Sequence, residues 1–144
     1  MLRHPSVSVA TLVVGATALA TILPWPAGAS TSTAHRTLHL TAQRVAETQY
    51  GKAEFTEADT IRTESGKTVG NEVVDCVPKS ATKAECSGVL ALKGGLLSAR
   101  LTINLANGEI TGAISGGTFA FTHAVGTVSG TSFNGGSRLS VTYH

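Results

Sequence analysis

The chain has 144 residues, 42% of them hydrophobic and 14% charged, with 11 Lys and Arg against 9 Asp and Glu. That length holds one domain and one core. The cations lie singly among acids, Ser and Thr, which excludes the clustered Lys and Arg that a nucleic-acid surface needs to displace counterions, and no polybasic stripe or lipidation motif marks a membrane surface.

In chain order, Met1 to Ala29 has the three parts of a secretory signal: a basic start (Arg3, His4), an apolar stretch from Val7 to Leu23, and a small-residue end at Ala27-Gly28-Ala29. Cleavage is expected after Ala29, with Ser32-Thr33-Ala34 as a second site. A retained anchor is the competing reading, but Pro24 and Pro26 break the run, which is short for a span of ~20 residues. The expected organisation is a signal peptide over 1–29, a flexible segment over 30–36 and a secreted domain over 37–144 with no further membrane contact.

Beyond Thr37, apolar and polar residues alternate in eight runs, the mark of strands with one buried face. They are Leu38 to Glu47, Glu54 to Arg62, Lys67 to Val77, Lys83 to Lys93, Leu96 to Leu105, Glu109 to Ser115, Val125 to Ser132 and Arg138 to Tyr143. Between them lie Tyr50-Gly51, Ser65-Gly66, Pro78-Lys79-Ser80, Gly94-Gly95, Asn107-Gly108 and Asn134-Gly135-Gly136. Asn-Gly is a strong hairpin signal because both residues tolerate positive φ. The best helical stretch, Ala42 to Gln49, carries only a weak apolar stripe. An all-β sandwich or a closed barrel is expected, and composition does not separate them. Two cysteines in a secreted chain read as one disulfide, Cys76 to Cys86, worth about 2.5 to 3 kcal/mol through loop closure. With no CxxC and no nearby His, no metal site is expected, and no cofactor fingerprint is present.

The parity of each run separates its two faces. Leu97, Ala99, Leu101, Ile103 and Leu105 face inward, as do Ile110, Gly112 and Ile114, and Leu139, Val141 and Tyr143. The second run breaks the apolar rule: Glu57 and Asp59 share parity with Phe55 and Ile61. In the first run Arg44 shares parity with Leu38, Leu40 and Ala42. One guanidinium and two carboxylates on an apolar wall form a candidate site for a polarised small molecule, with Glu57, Asp59 and Arg44 as the candidate catalytic groups. Tyr143, Phe55, Leu101 and Ile103 are the candidate ligand-binding residues. The competing reading is a bulge that turns the charged groups to solvent, or a structural ion pair at the rim. His123 is a weaker candidate for proton transfer, and His35 and His39 do not meet if their context is a strand. Gly-x-Ser-x-Gly, His-Glu-x-x-His, phosphate-loop, dinucleotide-binding and Asn-x-Ser/Thr motifs are all missing.

The order of landmarks adds to this. Phe55 and Asp59, Gly66-Lys67-Thr68-Val69-Gly70, Cys76, Cys86, Gly94-Gly95, Ile114-Ser115-Gly116-Gly117-Thr118-Phe119 and Ala124-Val125-Gly126 together resemble the small secreted allene oxide cyclase-like and dirigent-like barrels of actinobacteria. The resemblance runs from about Glu54 to Tyr143. It departs at Phe119, where the family has Gly, and at Val125, where it has Arg. It implies an eight-stranded antiparallel up-and-down β-barrel, a narrow cup holding one small ligand. It also implies a function: binding a small hydrophobic molecule and steering its conformation, as dirigent proteins do. An isomerase or cyclase acting by confinement is the alternative, although the cyclases' catalytic glutamate has no single match among Glu47, Glu54 and Glu57. A packed structural or surface-interaction module is the third reading. Such barrels leave outer faces free, so self-association into a homo-oligomer is a further expectation.

Overall fold

The computed structural model describes residues 34–50 and 54–144. The expected signal peptide and residues 30–33 lie outside the described residues. Eight strands occur in sequence: β1 (Arg36–Tyr50), β2 (Glu54–Thr63), β3 (Thr68–Ser80), β4 (Lys83–Leu92), β5 (Gly95–Asn104), β6 (Glu109–Gly117), β7 (Gly126–Phe133) and β8 (Gly136–Tyr143). Each is antiparallel to the next, and β8 returns to pair with β1. The sheet is therefore a closed barrel with no free edge, which resolves the choice between sandwich and barrel.

Alternation drives the closure. On β4, Ala84, Cys86, Gly88 and Leu90 are buried while Lys83, Glu85, Ser87 and Val89 are exposed. The same period on the other strands brings Leu40, Ile61, Leu101, Ile114, Val128 and Leu139 into one core. Cys76 and Cys86 are direct partners across β3 and β4 and form the disulfide, with both residues buried inside the barrel.

Local chemistry departs from the sequence-based expectation in three places. The stretch Ala42 to Gln49, with its helix-favouring residues, is strand throughout, because β2 pairs along its length and β8 pairs with its first residues, Ala42 and Gln43. Pro78 lies inside β3 rather than after it; the register shifts between Pro78 and Ser80, and a bulge is where a residue lacking N–H is tolerated. At Asn134-Gly135 only the glycine takes positive φ (88°), so the turn does not use the left-handed tolerance of Asn.

Candidate functional site

The barrel's two ends differ. The end bearing the β2–β3, β4–β5 and β6–β7 connections is closed by a single 3-10 turn, Phe119–Phe121, whose Phe121 ring is buried. Phe121 meets Tyr143 edge to face, with ring centroids 5.5 Å apart. Gly117 lies beneath it: a Cβ there would stand 2.6 Å from both Leu96 O and Phe121 O, so only glycine lets the turn drop onto the strand ends. The Gly116-Gly117 landmark is thus a socket for a plug.

The opposite end is open. Inside it lies a cavity of about 90 Å³ whose wall includes Phe55, Glu57, Asp59, Glu72, Leu101 and Ile103. Below Glu72, Leu101 and Leu139 a second void of about 20 Å³ is lined almost wholly by apolar groups. Ligand pockets usually measure roughly 300–1,000 Å³, so this cup has room for only part of a molecule of that size. Two wider hollows, of about 400 and 700 Å³, lie on outer faces of the barrel among groups such as Asp75, Lys79, His39 and Arg138. They are open to solvent and lack the convergent buried groups of the cup.

Register builds the acidic side of this cup. Asp59 pairs with Arg44 on β1 and with Glu72 on β3, while Glu57 pairs with Glu47 and Val74. The ladder slips between Arg44 and Ala46, leaving Val45 bulged and 66% exposed. The bulge reverses the parity of the residues beyond it, so Glu47 shares a face with Arg44 although it stands an odd three positions further on. Arg44 uses both: Nη1 donates to Glu47 Oε2 at 2.7 Å and Nη2 donates to Glu57 Oε1 at 2.5 Å. A bulge is present, then, but it gathers charge instead of turning it to solvent.

Asp59 is 4% exposed and Glu72 7%. Burial pushes the Asp59 carboxyl up to about 6, the Glu57 charge adds to this, and Arg44 offsets part of it. Glu72 rises to about 7, first through burial and then through the charges of Asp59 and Glu57. Asp59 Oδ1 and Arg44 Nε are buried without a hydrogen-bond partner among the described residues. The cup therefore holds two buried carboxyls, both raised toward neutrality by burial and by neighbouring carboxylate charge.

The structure brings together Glu57, Asp59, Phe55, Leu101 and Ile103, with Arg44 against Glu57. Tyr143 is not with them. It faces inward on β8 but at the plugged end, against Phe121, because β8 runs from the open end to the closed one. Of the candidate ligand-binding residues, Tyr143 thus stands apart from the cup that Phe55, Leu101 and Ile103 line. His123 is exposed beside the plug, at φ 66°. Glu72 is absent from the candidates drawn from sequence, although its signal was available: it shares parity with the buried Val74 and Cys76, as Asp59 does with Ile61. Among the described residues no cluster of three or more metal-ligating side chains occurs, and no helix is long and apolar enough to cross a membrane.

No family model matches the chain, and no curated protein matches it in sequence. Solved structures share its fold. A pyocyanin demethylase superposes with a TM-score of 0.64 at 18% identity, covering 76% of this chain and 100% of that one. An exo-specific intermolecular Diels-Alderase superposes with a TM-score of 0.61 at 10% identity, covering 76% and 98% respectively. The chain has the small-barrel fold of these two proteins. At such identities the likeness is one of architecture.

Proposed function

We propose that this is a secreted barrel whose open cup binds one end of a small hydrophobic molecule and steers its conformation, in the manner of the dirigent-like and allene oxide cyclase-like barrels it resembles. The observation that carries this reading is a blind-ended apolar cup with Asp59 and Glu72 buried in its wall. Phe55, Leu101 and Ile103 supply the apolar contact; Glu57, held by Arg44, borders the mouth. The signal-like leader and the disulfide support secretion.

Catalysis by confinement is the second reading, and the proton-exchanging carboxyls favour it. A protonated Glu72 donates to a developing oxyanion or epoxide oxygen, while ionised Asp59 or Glu57 stabilises positive charge or accepts a proton. Confinement itself contributes through orientation, roughly 7 to 11 kcal/mol in favourable cases. The two readings separate on incubation with a polyunsaturated epoxide or a polyene, with product chirality read out. Conversion without an external oxidant marks an isomerase or cyclase, and selectivity appearing only when an oxidant generates radicals marks guidance. If neither compound perturbs the cup and neither reaction gains selectivity, the packed-module reading stands instead.

A further inference from the structure

Among the described residues, the charges in and around the cup do not balance. Glu57, Asp59 and Glu72 line its wall and Glu47 joins them at the rim, facing a single guanidinium, Arg44. The lining of the opposite wall, from β5 to β8, consists of Leu101, Ile103, Ile110, Ser132, Ser137 and Leu139 with neighbouring apolar groups, none of them charged. Arg44 is committed to Glu47 and Glu57. Asp59 is left over: it is 4% exposed, borders the cavity, and its Oδ1 accepts no hydrogen bond from any described residue. A buried carboxylate oxygen in that condition costs stability unless a donor reaches it.

We propose that the cup selects a small hydrophobic amine in its ammonium form, the N–H groups donating to Asp59 Oδ1 and Glu72 and the carbon chain lying on Phe55, Leu101 and Ile103. The inference rests on the cup being a ligand site and adds the chemistry of the head group. An ammonium carries three donors and no acceptor, so it matches adjacent carboxylates. Its positive charge also offsets the acidic excess that a hydroxyl leaves uncorrected. An anionic head would meet like charge from Glu57, Asp59 and Glu72. The volume agrees: about 90 Å³ admits the ammonium and a few carbons, with the remaining chain emerging past Leu105 at the mouth.

Proton linkage supplies a second readout. Ionised Asp59 and Glu72 hold the cation, so amine affinity rises from pH 5 to pH 8 as they lose their protons, while the amine stays charged throughout. The test is an amide-NMR titration of the full chain with hexylamine, hexan-1-ol and hexanoate at pH 5 and pH 8, monitoring Phe55, Leu101 and Ile103. Expected at pH 8 is at least tenfold tighter binding of hexylamine than of hexan-1-ol, and weakest binding of hexanoate. The amine preference should shrink severalfold at pH 5 and collapse in Asp59→Asn, with Glu72→Gln read in the same way should the first variant not fold. Equal or tighter binding of hexan-1-ol in the cup overturns the cation inference and leaves the hydrophobic-cup reading intact. Failure of all three compounds to shift the cup amides overturns both.

Discussion

The plugged and open ends of the barrel are made by the same strands, yet they use their inward positions in opposite ways. At the plugged end Phe121 fills the lumen, Tyr143 braces it and Gly117 makes room, so the groups there serve packing. At the open end Asp59 and Glu72 take positions where apolar residues would stabilise more, and burial raises both carboxyls. One end holds the fold together and the other costs it stability, which is the trade expected of the proposed ligand site.

The largest test of that contrast is Phe121→Ala. Removing a buried aromatic plug should destabilise by about 3 to 5 kcal/mol, read as a lower urea midpoint, and should join the void below Glu72 to solvent. A loss under about 1 kcal/mol would mean that the plug is ornamental and that the ends are alike.

Next comes pH. Both carboxyls have folded values above their ordinary ones, so the folded chain binds protons that the unfolded chain releases. Their contribution to stability is full below about pH 4 and is lost as pH rises through about 6 for Asp59 and about 7 for Glu72. At about 1.4 kcal/mol per pKa unit, the loss between pH 4 and pH 8 is on the order of 3 kcal/mol for each carboxyl. Glu72→Gln, which mimics the protonated acid, should recover about 1 to 3 kcal/mol at pH 8 and change little at pH 4. Urea unfolding at the two pH values checks both statements, and a flat profile in the parent chain would remove the cost ascribed to the open end.

The Cys76–Cys86 bridge closes a short loop at the open end. Its removal by paired Cys→Ala substitution should cost about 2.5 to 3 kcal/mol, measured by the same unfolding. The smallest effect separates two glycines. At Gly88 a Cβ meets Glu72 Oε1 at 3.6 Å and Leu101 Cδ1 at 3.7 Å, ordinary contact, so Gly88→Ala should be neutral or stabilise by up to about 1 kcal/mol. At Gly117 the same methyl collides with backbone, and a loss of about 1 to 3 kcal/mol is expected. Thermal melts that rank the pair the other way would contradict the socket.

Much of the architecture was legible in the residues, because a strand with one buried face must alternate. That rule located eight strands and the inward faces of Leu101, Ile114 and Val141, and it found Asp59 and Glu57 as acids on an apolar face. Applied with equal care to β3, it would have found Glu72. Parity is a local property and needs no tertiary information. What it does not carry is position along the barrel axis or a change of register. Tyr143 and Asp59 both point inward, yet only pairing shows that they lie at opposite ends. The bulge at Val45 brings Glu47 to Arg44, and the seating of Phe121 over Gly117 makes the cup blind. The amino-acid sequence by itself determined which side chains face inward. The closed sheet decided which of them meet, because register and shear join residues distant in the chain and alternation alone does not specify either.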